Sequence, residues 1–187
     1  MQGITEFLAR VAPVQTPALV VRRAALMANL ATMQAACDAA GVRLRAHGKM
    51  HKCSQLGRLQ VAGGAVGLCC QAVGEAEAYA AAGIPDLLVT APVPAWGWPR
   101  LAALAGRVRV AAVVDSPVQL ALASAAAVAA GARLGICIDV DPGMGRAGVA
   151  PALAPALAAQ VGALPGLSYY GIQAYCGHHQ HTRAADR

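Results

Sequence analysis

Apolar positions come in two textures along this chain. Short unbroken runs rich in valine, leucine and isoleucine alternate with longer alanine-rich stretches, and glycine repeatedly follows the latter. An unbroken apolar run suits a strand covered on both faces, and a glycine just past an alanine-rich stretch suits a helix C-terminus. A short strand over 17–21 is therefore expected, then a helix over 24–40. Further strands are expected over 42–47, 66–70, 86–90, 108–114, 134–140 and 167–175, with helices near 55–62, 75–82, 98–105, 118–130 and 151–161. Gly41, Gly63, Gly83, Gly106 and Gly131 stand at helix ends. From residue 42 onward the chain repeats a βα unit of roughly 20–30 residues. Two architectures carry that pattern: an open doubly wound sheet, or three quarters of a (β/α)8 barrel.

Composition narrows the class. Of 187 residues, 57% are hydrophobic and only 13% charged, which excludes a disordered chain and predicts an α/β protein with one substantial core. The formal charge of +6 is spread over single or paired arginines (Arg22-Arg23, Arg43 and Arg45, Arg107 and Arg109) with no aromatic run beside them. No nucleic-acid partner is expected from that arrangement; a mildly basic protein that draws in small anions fits better. Cys37, Cys53, Cys69, Cys70, Cys137 and Cys176 lack metal-ligand spacing and read as buried reduced thiols of a cytoplasmic protein. Residues 1–16 lack the apolar centre of a signal peptide. The stretch 118–132 is too short for a bilayer and is interrupted by Gln119 and Ser124, so no membrane association is expected.

Lysine usage changes the picture. Lys49 and Lys52 are the only lysines among 15 basic residues, and both lie in Arg45-Ala46-His47-Gly48-Lys49-Met50-His51-Lys52-Cys53. Arginine cannot replace lysine in a Schiff base, because its guanidinium stays charged and non-nucleophilic. Codon bias toward arginine explains part of the scarcity. In either architecture chemistry collects at the C-terminal ends of parallel strands, and His47, Lys49, Asp115, Asp141 and Tyr175 all fall at such ends. The run Gly143-Met144-Gly145-Arg146-Ala147-Gly148 matches a dinucleotide fingerprint. The next strand, however, carries no acidic residue for the ribose, and Arg146 occupies the turn itself, so a dinucleotide site is disfavoured. Gly177-His178-His179-Gln180-His181 lacks a nearby acidic partner, and no metal held by this chain alone is expected.

Several segments together resemble one family. They are Thr16-Pro17-Ala18-Leu19-Val20-Val21, His47-Gly48-Lys49-Met50-His51-Lys52-Cys53, the run from Gly67-Leu68-Cys69-Cys70-Gln71 to Ala76, the run from Asp139-Val140-Asp141 to Val149, and Gly171-Ile172-Gln173-Ala174-Tyr175. They stand in the order found in the D-threonine aldolase / D-serine dehydratase-like family, pyridoxal-phosphate enzymes whose N-terminal domain is an alanine racemase-type (β/α)8 barrel. The resemblance covers nearly the whole chain. It implies that Lys49 holds pyridoxal phosphate as a Schiff base and exchanges protons with the substrate. It implies that Arg146 lies beside the cofactor's phenolic oxygen and that Tyr175 packs against its ring. Gln71, His51 and His181 match further positions near the site. The implied activity is cleavage of D-β-hydroxy amino acids to glycine and an aldehyde; the alternative is a D-serine dehydratase-like deamination.

The sequence departs from the family at Ala46 (usually proline), Pro142 (often valine), Ala147 (often cysteine) and Arg22-Arg23 (in place of an acidic entry). Residues 1–187 then correspond to the N-terminal part of the barrel, with about six strands present. The resemblance implies that the last two strands, the phosphate-binding turn and the C-terminal β-domain are not among residues 1–187. The resemblance assigns the family's divalent-metal ligands to that β-domain, and homodimers to full-length members. A truncated, inactive barrel fragment is the remaining alternative.

Overall fold

The computed structural model describes residues 2–183, which fall into two compact units divided after Leu44. The first unit holds helix α1 (Gln2–Val11), which the sequence reading did not foresee, and helix α2 (Arg23–Ala39). Beyond α2, Gly41 takes φ +66°, the left-handed turn that glycine makes without strain. The strand expected over 17–21 is not formed. An apolar alternation gives a segment the capacity to pair, but a strand needs a backbone partner, and none of the described residues supplies one.

In the second unit strands and helices alternate. They are β1 (Ala46–His47), α3 (Ser54–Ala62), β2 (Leu68–Cys70), α4 (Val73–Ala81), β3 (Asp86–Val89), α5 (Gly97–Ala105), β4 (Arg109–Val114), α6 (Pro117–Ala129), β5 (Leu134–Val140), α7 (Ala154–Ala163) and β6 (Leu167–Ala174). The expected first strand shrinks to two residues because β2, its one neighbour, pairs with it only at Ala46↔Leu68 and His47↔Cys69. The helix expected from residue 151 opens as a 3-10 turn, Pro151–Leu153, before α7 begins. Pro117 and Pro155 sit in the first turns of α6 and α7, where a missing N–H costs nothing.

All six strands are parallel, and their spatial order is their sequence order, β1-β2-β3-β4-β5-β6. A doubly wound sheet reverses direction at a switch point; a barrel winds one way. The sequential order therefore decides for barrel-type winding, with the described strands forming one open sheet. Register sorts the side chains into two faces. Leu68, Leu87, Val110, Ala112, Leu134 and Ile136 share the face that packs on the helices, together with the fully buried Trp98, Leu101 and Leu120. The opposite, inner face carries the chemistry: His47, Cys69, Ala111, Gly135 and Ser168 near the start, then Cys137, Asp139 and Gln173 further along. Gly135 is small because a Cβ there would sit 2.9 Å from that of Ala111.

At the N-terminal end of the inner face, Asp86 bonds Arg45 at 2.8 Å and Arg109 at 3.0 Å, and Arg45 also donates to the Tyr170 hydroxyl at 2.8 Å. Burial disfavours the Arg45 charge, but the hydrogen bond and charge of Asp86 outweigh it, and the guanidinium is held above its ordinary pKa. A register shift between β5 and β6 makes Tyr170 the extra residue between the pairs Ile136↔Tyr169 and Cys137↔Gly171. Such a bulge re-aims a side chain, and here it accompanies the Tyr170 contact with Arg45.

Candidate active site

The two lysines end in different surroundings. His47 closes β1, and the chain turns at once into a 3-10 turn, Gly48–Met50, with Lys49 at its centre. The turn is clamped from below, where Tyr79 donates its hydroxyl to Gly48 O at 2.9 Å. Gly48 is required there, because a Cβ would meet the Tyr79 ring at 2.6 Å. The Lys49 amine then projects toward β2 and donates to Gln71 Oε1 at 3.3 Å. No carboxylate pairs with it among the described residues. Lys52, by contrast, forms an ion pair with Glu75 at 3.2 Å and takes φ +48°, unusual for a non-glycine residue. An amine held in an ion pair is less free to reach an aldehyde than one bonded only to a neutral amide, so the geometry singles out Lys49.

Glu75 ties the two loops together. One oxygen holds Lys52 and the other accepts the Gln71 N–H at 2.7 Å. Burial opposes its charge, yet the hydrogen bonds from Gln71 and Lys52 prevail and hold the carboxyl below the ordinary glutamate range.

A second pair lies at the ends of β5 and β6. The Arg146 guanidinium sits over the Tyr175 ring, 4.3 Å from its centroid, and no carboxylate lies within ion-pair distance of it among the described residues. Its loop is shaped by Asp141, whose carboxylate accepts from the amides of Gly143, Met144 and Gly145 at 2.7–3.1 Å. Those bonds, the one from Gly145 foremost, pull the Asp141 carboxyl below its usual range. Asp115 accepts the Gly148 N–H at 3.2 Å and fixes the far end of the loop. The glycines of this run thus build an acid-capped turn that presents Arg146, with Gly143, Gly145 and Gly148 all at positive φ.

Between the pairs, polar groups cross the inner face. His47 Nε2 lies 3.0 Å from Thr90 Oγ1, Gln173 Nε2 donates to Thr90 O at 3.3 Å, and the same amide donates to Asp139 Oδ1 at 3.1 Å. Burial raises the Asp139 pKa, with Gln173 and Arg146 partly offsetting. Burial likewise pushes the Cys70 thiol up to about 12 and Cys137 to about 11, so both are inert.

Of the residues expected near a site, the structure places Lys49 beside Gln71 and Arg146 against Tyr175. His51 turns away toward α3: its Nδ1 accepts the Cys53 N–H at 3.1 Å and its Nε2 meets Gln60 Oε1 at 3.2 Å. His181 is exposed at the end of the 3-10 turn Gly177–His181, and it is His178 whose N–H reaches Met144 Sδ, at 3.3 Å. Among the described residues, no group of three or more His, Cys, Asp or Glu could hold a metal ion. Sequence reasoning gave no roles to Glu75, Thr90, Gln173 and Asp139. The period-two alternation of inner-face residues was the available signal for the last three.

Comparison with known proteins places this geometry. The alanine racemase N-terminal domain family matches residues 21–186. The chain belongs to that family. Within the alanine racemase N-terminal domain family it is similar to a D-threonine aldolase of Arthrobacter sp, 44% identical over 94% of this chain and 47% of the relative. It is similar also to a 3-hydroxy-D-aspartate aldolase of Paracoccus denitrificans, 44% identical over 90% of this chain and 44% of the relative. A D-threo-3-hydroxyaspartate dehydratase of Delftia sp. is more distant, at 34% identity over 72% of this chain and 36% of the relative. Among solved structures, D-threonine aldolase from Filomicrobium marinum superposes with a TM-score of 0.88 at 41% identity, covering 91% of this chain and 47% of that one. The chain thus spans less than half the length of these alanine racemase-type relatives.

Proposed function

We propose that this chain is the cofactor-anchoring part of a cytoplasmic pyridoxal-phosphate lyase that cleaves D-β-hydroxy amino acids to glycine and an aldehyde. The observation that carries the reading is the Lys49 amine. It stands at the C-terminal end of β1, free of any carboxylate among the described residues and aimed by the Gln71 carbonyl. The residues present fit the cofactor's chemistry, since an unpaired amine suits its aldehyde and the Arg146 cation suits an electron-rich oxygen. When bound, pyridoxal phosphate supplies the electron sink for the bond broken at the substrate's Cα.

Each residue of the chain has a task in this reading. Lys49 would hold the cofactor through its amine, and its Nζ would be the group on this chain that carries a proton. Gln71 accepts from that amine and limits its rotation. Arg146, held over the Tyr175 ring, places a positive charge at the rim and favours anionic groups there. Tyr175 offers an aromatic surface. Full-length relatives are the expected setting for a metal at the β-hydroxyl and for a homodimer, and both stay proposals for the whole protein. The higher identity to the aldolases than to the dehydratase favours carbon–carbon cleavage over deamination.

The test adds pyridoxal phosphate to the purified chain and records the visible imine band, followed by borohydride reduction and peptide mapping. Label on the Lys49 peptide is expected, and its loss in Lys49→Ala. A band that persists unchanged in Lys49→Ala overturns the assignment. For the whole protein, glycine plus aldehyde from D-threonine supports the aldolase; ammonia plus a keto acid supports the dehydratase instead.

A further inference from the structure

The ring of His47 faces a donor on one side. Lys49 N–H points at Nδ1 from 3.3 Å, so Nδ1 carries no proton, because two donors cannot face each other across a hydrogen bond. A neutral ring then bears its proton on Nε2, which lies 3.0 Å from Thr90 Oγ1. Thr90 is arranged to receive it. Its single hydroxyl proton goes to Cys70 O at 3.1 Å, which leaves the oxygen lone pairs for the ring. Two independent hydrogen bonds therefore require the same tautomer. Thr90 is in turn fixed by its amide on Cys70 O at 2.9 Å and by Gln173 on its carbonyl.

We infer that His47 is a positioning residue, a neutral ring locked as the Nε2–H tautomer by Thr90, whose Nδ1 caps the turn that presents Lys49. This rests on the reading of Lys49 as the cofactor-anchoring amine. His47 stands at the cap of the Gly48–Met50 turn, the place where Ser, Thr, Asp or Asn usually supplies an oxygen. A ring nitrogen does the same here and spans from the sheet interior to the turn, which a shorter side chain cannot. The charged groups facing the ring agree with a neutral state. Burial and the Lys49 charge lower the His47 pKa, and these outweigh Glu75 and the Cys69 carbonyl, which act the other way. His51 shows a similar pattern four residues on, with Nδ1 accepting from Cys53 N and Nε2 on Gln60, just before α3 begins.

The experiment compares His47→Asn, which keeps an acceptor near the Nδ1 position, with His47→Leu, which keeps bulk and removes the acceptor. The first readout needs no cofactor. Long-range 1H–15N spectra, with the His47 signal assigned by its loss in His47→Asn, are expected to show the Nε2–H tautomer at neutral pH. Hydrogen exchange of the Lys49 amide is expected to quicken about fivefold to tenfold in His47→Leu and much less in His47→Asn. The second readout is the rate of imine formation with pyridoxal phosphate, which should fall in His47→Leu and recover in His47→Asn. A ring found as Nδ1–H or imidazolium, or equal exchange in parent and His47→Leu with circular dichroism unchanged, overturns the proposal. A parent that forms no imine sinks the functional reading instead, and the tautomer and exchange results then decide the cap alone.

Discussion

Replacing Asp86 by asparagine removes the charge that holds the N-terminal end of the inner face. The two ion pairs it serves differ in depth: the Arg45 side chain is 14% exposed and Asp86 9%, whereas Arg109 is 71% exposed. An exposed pair contributes roughly 0–1 kcal/mol, so the Arg109 link is worth about 0.5 kcal/mol. Breaking the buried pair leaves Arg45 an uncompensated charge facing neutral acceptors alone, the Tyr170 hydroxyl, the residue-86 backbone carbonyl and the asparagine amide oxygen, and this costs about 3 kcal/mol. Urea unfolding of the purified chain should therefore show Asp86→Asn losing about 3 kcal/mol and Arg109→Ala about 0.5 kcal/mol. The Asp86→Asn loss should persist in high salt, because screening acts mainly on exposed charges. The double variant Arg45→Met with Asp86→Leu should regain most of the stability, since well-packed apolar groups substitute for a buried pair. Equal losses for Asp86→Asn and Arg109→Ala would refute the distinction drawn from burial.

Two other perturbations test the loops. Glu75 has a folded pKa below the ordinary glutamate value, so its contribution is full above that value and disappears as pH falls through the folded one. Glu75→Gln should cost about 1 kcal/mol near neutral pH and flatten the acid limb of the stability curve; an unchanged acid limb would argue against the Lys52–Glu75–Gln71 tie. Gly48→Ala places a methyl group against the Tyr79 ring and should cost about 1–3 kcal/mol by overpacking, read by thermal unfolding, with Gly48→Ala/Tyr79→Leu recovering part of it.

The βα alternation was legible in the sequence, because β2 to β5 are largely buried and leave mostly apolar runs, whereas β1 and β6 stand at the sheet edges and carry polar residues. What local pattern cannot carry is pairing. The segment 17–21 has strand-like residues and no partner, and residues 42–45 stay outside β1 because β2 offers them no ladder. The choice between sheet and barrel likewise depends on spatial order, which periodicity does not encode. At the site, the weight placed on Lys49 came from residue type and resemblance. Residue type alone does not separate Lys49 from Lys52; the resemblance does, and the Lys52–Glu75 ion pair adds a physical difference that local sequence does not show. For His51, a match to a family position put it near the chemistry, and what the fold adds is its two hydrogen bonds, to Cys53 N and to Gln60 of α3.

β1 joins the sheet through two residue pairs, whereas β5 and β6 run side by side from Leu134↔Leu167 to Val140↔Ala174. Lys49 thus hangs from the part of the sheet with the least cross-strand bonding. Elements with few cross-strand bonds open locally at lower free energy than the global transition, so β1 and its turn are expected to exchange ahead of β3–β6 in native-state hydrogen exchange. Such an opening would carry the Lys49 amine off Gln71 while the β3–β6 strands stay paired. The order of the anchor is consequently set by its hydrogen-bonding partners, not by the strength of the barrel wall.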